Sequence, residues 1–449
     1  MKIIIAGAGE VGFHLAKLLS FESQDITLID LNKDALAKAE KQLDIRTVKG
    51  DSTSIQVLKD SEVSEADLII AVTGVESVNI TTCVLANQLG VKQSIANISN
   101  PEFIDNENEI GFKKFGIDEL ISPEMLAADE ISLLLDQSAF NDSYQFDKGA
   151  LMMVGSVLTE DAPFVGKTVQ EAAQIYPELH FIPIAIQRDG TQFTIIPRGA
   201  TKFEKGDHAY FVTSKEGQDE LCSLTGKVKV KIKNVMVLGG SDIGIKATED
   251  LCNKGFNVKL VEQDPRKVFD LADRLHKAMV IHGDGRNMEL LQEEGLPDID
   301  AFVAVTDDSE TNIMSCLIAK SQGVKKTIAL VENMNYFQFS NSIGVDTLIN
   351  KKLMAANSIF RHIRKGEVLA MTTLNNMNAE LIEFEVKETS KVADCLVKNI
   401  SFPASSIVAG VIRNGEGQIA LGDFRIKPKD KVVVCSLPKS IAEVEKLFD

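Results

Sequence analysis

This chain of 449 residues is short of cysteine and histidine, lacks long apolar runs, and carries no surplus of positive charge. Its six cysteines, Cys83, Cys222, Cys252, Cys316, Cys395 and Cys435, form no CxxC pair and no metal-ligand spacing with the six histidines. No metal site is expected. Most of the cysteines sit inside apolar runs, which reads as reduced core residues of a cytosolic protein. No apolar stretch approaches the ~18 residues of a membrane span. The chain enters its first apolar run at Lys2, leaving no room for a signal peptide, so a cytoplasmic protein is expected that meets a membrane only through a partner. A formal net charge of −17 argues against nucleic acid or anionic lipid as the main partner.

What is present is ordinary globular material, 44% hydrophobic and 25% charged. At ~150 residues per domain the length allows about three domains, or more if they are small. The most informative stretch comes first. KIIIAG is a short isoleucine-rich run of the kind a parallel strand buried on both faces requires. Gly7-Ala8-Gly9-Glu10-Val11-Gly12 follows, then Val11, Leu15, Leu18 and Leu19 at helical spacing, then ITLID ending on Asp30. In a strand-turn-helix-strand unit each part serves a dinucleotide. Gly7 allows the tight turn, Gly9 lets backbone approach a pyrophosphate, and Gly12 permits close helix-to-strand packing. The phosphates face the amides of the helix N-terminus. Asp30 follows Gly12 at near the usual ~20-residue spacing, where a carboxylate binds the adenosine ribose and repels a 2′-phosphate, favouring NAD over NADP.

Further along, the spacing predicts helices over Lys33–Gln42, around Gln56–Asp60 and up to about Leu89, with strands at 47–51, 66–73, 93–99 and 117–123 and a helix from Met125 to Leu135. Alternating strand and helix is the signature of a doubly wound parallel sheet, whose ligand lies at the carboxyl ends of the strands. Asp51, Thr73 and Asn97 fall there. After residue 140 the texture changes to a small α+β module: LMMVGSVL, a helical VQEAAQI, FIPIAIQ, a hairpin turn at Arg188-Asp189-Gly190, TQFTIIP and HAYFVTS.

The chain then repeats itself, and such a repeat decides architecture. KNVMVLGGSDIG restates KIIIAGAGEVG, placing Gly239 opposite Gly7. Glu262 falls opposite Asp30, Asp284 opposite Asp51, Thr306 and Asn312 opposite Thr73 and Asn79, and Asp430 opposite Asp207. The expected order is a Rossmann-like domain over 1–123, a small domain over 140–225, a second Rossmann-like domain over 232–350 and a second small domain over 366–449. The second copy is altered at its turn. Ser241 stands where a glycine would let backbone reach a phosphate, with Gly240 as a partial substitute. Glu10 and Asp242 each place a carboxylate at the start of the helix, suiting its dipole but able to crowd a phosphate. This copy is either a second dinucleotide site or a domain kept for packing.

Two such turns, each with its acid, a GD after the third strand and an AVT…N fourth strand, each followed by a small domain, make the whole chain resemble the TrkA family of potassium-uptake regulators. These are built of tandem regulator-of-potassium-conductance (RCK, or KTN) modules. The resemblance implies a cytosolic subunit that binds NAD(H), with ATP or ADP as further ligands. It also implies docking on the inner face of a Trk-type transmembrane potassium transporter. It implies self-assembly into a dimer or ring through the helices at Met125–Leu135 and Leu353–Arg364. Carried over, the cofactor residues are Gly7, Ala8, Gly9, Glu10, Val11, Asp30, Asp51, Thr73, Gly74 and Asn97. Their second-copy counterparts are Gly239, Gly240, Ser241, Asp242, Ile243, Glu262, Asp284 and Thr306. Many relatives carry an arginine where this chain has Asn97, and Leu330 stands at the matching place in the second copy.

An NAD-dependent oxidoreductase is the competing class; a regulator of another cation transporter is the alternative within the fold. Ser132, Tyr144 and Lys148 imitate a short-chain dehydrogenase triad, but that chemistry needs tyrosine and lysine on one helix, and SYQFDKGALMM reads as a loop entering a strand. His14, His180, His208 and His282 pair with no carboxylate at catalytic spacing. No catalytic residue is expected.

Overall fold

Strand β1 (Lys2–Ala6) lies in the middle of a parallel sheet because both of its faces are apolar, and Ile3, Ile4 and Ile5 are fully buried. The computed structural model describes residues 1–449 other than 21–23, 137–141, 176–179, 189–190, 192, 227–230, 333–342, 364–367 and 375–376. It separates into two compact units. One comprises Met1–Ile131, Val235–Gln322 and Ile328–Ile363; the other comprises Ser132–Asn234, Gly323–Thr327 and Arg364–Asp449.

The first Rossmann-like copy continues from β1 through α1 (Glu10–Ser20), β2 (Asp25–Asp30), α2 (Lys33–Gln42), β3 (Arg46–Lys49), α3 (Ile55–Asp60) and β4 (Leu68–Ala71). After α4 (Glu76–Gln88) come β5 (Gln93–Asn97), the short α5 (Pro101–Asp105) and α6 (Glu107–Ile110), β6 (Glu119–Ile121) and α7 (Pro123–Asp136). The sheet order is β3-β2-β1-β4-β5-β6, with every pairing parallel. The order reverses between β1 and β4, which opens a crevice at their carboxyl ends. Helix α1 turns Gly12, Leu15, Ala16 and Leu19 to the sheet, and the two faces carry separate cores. Ile4, Ile29, Leu58 and Ile69 are on one; Ala6, Ala71, Cys83, Ala96 and Phe112 are on the other.

The small module that follows runs β7 (Asp142–Phe146), β8 (Leu151–Val157), α8 (Val169–Ile175), β9 (Phe181–Gln187), β10 (Thr194–Ile195), β11 (His208–Ser214) and α9 (Gln218–Leu224). Its antiparallel sheet is ordered β10-β9-β11-β8-β7. Residues 142–146, expected as loop, are a strand paired with β8 from Asp142 opposite Gly155 to Phe146 opposite Leu151. Tyr144 and Phe146 pack edge to face, with ring centroids 4.9 Å apart. A tight turn over Asp147–Gly149, with Gly149 at φ +90°, closes this hairpin. The expected turn at Arg188-Asp189-Gly190 lies partly outside the described residues, and TQFTIIP is strand only at Thr194–Ile195.

The second Rossmann-like copy comprises β12 (Asn234–Leu238), α10 (Asp242–Asn253), β13 (Asn257–Glu262), α11 (Pro265–Arg274), β14 (Met279–His282) and α12 (Met288–Glu293). It continues with β15 (Ala301–Ala304), α13 (Ser309–Ser321), β16 (Lys326–Leu330), β17 (Thr347–Ile349) and α14 (Lys351–Ile363). The order β14-β13-β12-β15-β16-β17 reproduces the first sheet. The second small module has β18 (Val368–Thr373), β19 (Glu380–Glu385), β20 (Ser406–Arg413), β21 (Glu416–Gln418), β22 (Lys431–Ser436) and α15 (Ile441–Phe448), ordered β18-β19-β22-β20-β21.

Copies of like kind pack on each other. In one unit, α14 lies along α1 of the first copy, so the helix after the sixth strand finds a partner within the chain; Arg364, expected at its end, is outside the described residues. In the other unit, the small modules share one apolar core that includes Phe146, Leu151, Tyr210, Leu381, Val433 and Cys435. Each module repeats a buried ion pair, Arg188 with Asp207 and Arg413 with Asp430, and the aspartate accepts a backbone N–H from Glu204 or Lys427 respectively.

Candidate functional site

The first crevice is built from its backbone outward. Gly7 leaves β1 at φ +113°, a conformation only glycine adopts readily, and donates its N–H to the Ile29 carbonyl at 2.8 Å. A Cβ on Gly12 would overlap the Gly7 carbonyl oxygen, so the close approach of α1 to the turn requires glycine there as well. Gly9 differs from both. A Cβ there would meet nothing within 4 Å, and glycine has no side chain with which to cap the first amides of α1. Among the described residues no side chain caps those amides, those of Glu10 and Val11 among them.

Asp30 closes the far side of the turn. Its Oδ2 accepts the Ala8 N–H at 2.5 Å and its Oδ1 the Asn32 N–H at 2.7 Å. Asp51 accepts the N–H and hydroxyl of Thr53, which hold its carboxyl below the usual range and keep it ionised. Thr73 donates its N–H and hydroxyl to Asn79 Oδ1, at 2.8 and 2.6 Å. The Asn79 amide in turn donates to the carbonyls of Thr73, at 3.1 Å, and Asn97, at 2.9 Å. One buried asparagine thus ties together the carboxyl ends of β4 and β5. Next to it, Gly74 has open space around it, and Asn97 Oδ1 is buried with no hydrogen-bond partner among the described residues. A buried acceptor left in this state is costly, and a donor on a ligand would relieve it. These residues fit a nucleotide: free helix amides for phosphate, a carboxylate for ribose, and an orphaned acceptor at the strand ends.

The second crevice keeps the frame. Gly239 has φ +108°, and a Cβ on Gly244 would overlap its carbonyl oxygen. Glu262 accepts the N–H groups of Gly240 and Asp264, both at 2.7 Å. Asn312 joins Thr306 to Leu330 as Asn79 joins Thr73 to Asn97. What it loses is the opening. Ser241 donates its hydroxyl to the Val305 carbonyl at 2.7 Å and accepts the Gly244 N–H at 3.3 Å, capping α10 with the protein's own oxygen. Ile243, after Asp242 in this first turn, is buried. The expectation that Gly240 compensates for the missing glycine is corrected. It lies opposite Ala8, and a Cβ there would come within 2.5 Å of Leu271 Cδ1 and 2.8 Å of the Glu262 carboxylate. Leu271 occupies the place of Ala39, so this glycine makes room for a leucine. Asp284 is bound by Arg286 with Nη2–Oδ2 at 2.8 Å, which holds its carboxyl below the usual range.

The imitated short-chain dehydrogenase triad does not form a helical pair. Tyr144 stands on β7 and Lys148 in the turn after it, so the two do not share a helix. Burial pushes the Cys83 thiol up to about 12, leaving it protonated and inert. Two participants escaped the sequence reading. Leu271 was detectable as a large-for-small exchange against Ala39 in the repeat. Lys352 of α14, whose Nζ lies 2.9 Å from Glu10 Oε2, had no local signal, since its partner is in the other copy.

Comparison with known proteins bears on the same arrangement. The family profile of the TrkA-N domain matches residues 3–123 and 235–351, and that of the TrkA-C domain matches 153–226 and 381–449. The Trk system potassium uptake protein TrkA of Azorhizobium caulinodans is 30% identical over 100% of this chain and 98% of its own length. The protein of the same name from Halomonas elongata is 31% identical over 100% and 98%. Among solved structures, the GsuK channel superposes with a TM-score of 0.62 at 16% identity, covering 99% of this chain and 78% of that one. The GsuK channel bound to NAD superposes with a TM-score of 0.58 at 16% identity, covering 100% and 78%. At that identity the likeness is one of fold. Among the described residues no helix is long and apolar enough to cross a membrane.

Proposed function

The chain belongs to the TrkA family, and from that premise we propose that it is a cytosolic regulatory subunit of a potassium-uptake transporter, gated by a nucleotide bound in the crevice of its first copy. NAD(H) is the first ligand and ATP or ADP the second, since all offer an adenosine ribose for Asp30 and a diphosphate for the amides of α1. The observation that carries this reading is the difference at one position: Gly9 brings no side chain to the start of α1, whereas Ser241 Oγ takes up the Gly244 N–H in the second copy. The name of the curated relatives supports the transport role, and the GsuK channel bound to NAD supports the ligand class.

Binding changes shape and makes no bonds. A ligand shifts an equilibrium between domain arrangements only by as much as its affinities for them differ, so NAD+, NADH and the adenylates must discriminate between two states. A membrane partner of the Trk type would read the arrangement, and self-assembly would propagate it. Calorimetric titration of the full chain with NADH and with ATP tests the reading, run beside an assay for NADH oxidation with small carbonyl compounds. Binding without turnover is expected; turnover, or no binding at millimolar ligand, would overturn it. Asp30→Asn keeps the size of the side chain that supports the turn but weakens its bonds to ribose, by ~1.5–3 kcal/mol or roughly 10–100-fold in Kd. Glu262→Gln is expected to change binding little.

A further inference from the structure

Lys352 belongs to the second copy by sequence, yet its ammonium bridges a carboxylate of that copy to one of the first. It begins α14 beside Lys351, and its Nζ lies 2.9 Å from Glu10 Oε2 and 3.1 Å from Glu332 Oε2. Glu10 is the residue directly after Gly9 and the first of α1. The ion pair therefore stands on the rim of the phosphate turn. Burial works against the ammonium, but the hydrogen bonds to Glu10 and Glu332 outweigh it and keep Lys352 above the ordinary lysine range, hence charged at neutral pH.

The turn itself carries charges of the wrong sign for the ligand. Glu10, Asp30 and Asp51 are carboxylates, and Asn97 brings no charge to the end of β5. A diphosphate or triphosphate arriving at the α1 amides meets Glu10 on the same turn of helix. The structure has an acceptable exchange ready. Glu332 already lies 3.9 Å from Lys351, which itself reaches Glu124 at 3.2 Å, so Glu332 keeps a cation if Lys352 turns away. Glu10 is about half exposed and can return to water.

We infer that Lys352 is the counter-charge of the first copy's phosphate site, its ammonium passing from Glu10 to a phosphate oxygen when a nucleotide polyphosphate binds. This rests on the nucleotide reading above and adds two things to it. Occupancy of the first crevice is felt at the first turn of α14, an element of the second copy, which gives the ligand a mechanical hold on the other half of the chain. And because each added phosphate brings more negative charge to one ammonium, the contact favours ATP over NADH.

The test is calorimetric titration of the full chain with ATP and with NADH across a range of salt concentrations. Lys352→Met is expected to weaken ATP by about 10-fold and NADH by about 3-fold, with a shallower salt dependence, and Lys352→Arg to restore both. Glu10→Gln, which frees the ammonium without removing it, is expected to tighten ATP by about 3-fold. Equal affinities and equal salt slopes for wild type and Lys352→Met would overturn the inference while leaving the nucleotide reading intact. Failure of the wild type to bind either ligand would overturn both. Should Lys352→Met not fold, unchanged ATP affinity in Glu10→Gln overturns the inference by itself.

Discussion

Gly9→Ser writes the second copy's self-cap into the first and predicts two effects of opposite sign. A Cβ at Gly9 meets no atom within 4 Å, so the serine enters without strain. At the matching place Ser241 Oγ bonds the Val305 carbonyl at 2.7 Å and the Gly244 N–H at 3.3 Å; in the first copy the corresponding groups are the Val72 carbonyl and the Gly12 N–H. A serine in place of glycine at a helix N-cap gains only roughly a few tenths of a kcal/mol, so the variant is expected to be as stable as wild type or slightly more so. The same oxygen takes an amide and the space that a phosphate would use. Loss of one charge-assisted hydrogen bond costs ~1.5–3 kcal/mol, a fall in nucleotide affinity of roughly 10–100-fold. Urea unfolding reads the first effect and calorimetric titration with NADH and ATP the second. Ordinary damage would lower both together. Unchanged affinity would mean that phosphates do not lie at the start of α1, and reduced stability would mean that the serine does not cap.

Two further expectations concern the unit of small modules. Arg413→Met removes the partner of Asp430, which is 2% exposed, and leaves a buried carboxylate with a single backbone donor; urea unfolding should show a loss of ~3–5 kcal/mol, and a loss under 1 kcal/mol would contradict the role given to the pair. Glu383 is buried on β19, where burial raises its carboxyl to about 7 against the partial help of Lys431 at 3.8 Å. The folded state therefore holds a proton that the unfolded chain releases near its ordinary value of 4.5. Stability from this group is complete below that value and is lost as pH rises to about 7, by ~3 kcal/mol in all. Glu383→Gln should flatten that fall when unfolding is measured between pH 5 and 8, and an unchanged slope would show that another group causes it.

How much of this was legible in the sequence follows from what each signal depends on. Where period and turn chemistry agree, the reading was close: α2 spans Lys33–Gln42 as expected, and β9 and β11 coincide with FIPIAIQ and HAYFVTS. The repeat carried the architecture, since two copies of one pattern must solve the same packing problem in the same way. Strand β7 was missed because SYQF, although it alternates polar and aromatic residues, is only four residues long and runs into Asp-Lys-Gly; β8 and the shared core make it a strand. The closing of the second crevice was half legible. Ser241 signalled a lost glycine, but that its hydroxyl caps the helix depends on where the Val305 carbonyl lies, and the meaning of Gly240 depends on Leu271. Lys352 was beyond reach, because charge on a helix start reads as a solvated face until its partner in another domain is placed beside it.

The two copies also separate, within one chain, two demands that the glycine turn makes together. Gly7 and Gly239 share a positive φ, and Gly12 and Gly244 share an overlap that any Cβ would create with the preceding carbonyl; both copies keep both, because strand, turn and helix cannot close without them. The middle position has no such constraint, since neither strained backbone nor a close neighbour requires glycine at Gly9. On the proposed function it keeps the start of α1 open to a ligand. Where that purpose is absent a side chain is free to return, and in the second copy it has returned as a serine that satisfies the helix by itself. The outer glycines thus serve the fold, and on the proposed function the middle one serves a ligand. A copy that retains the first pair and fills the third position remains a sound partner for packing, as α14 against α1 shows.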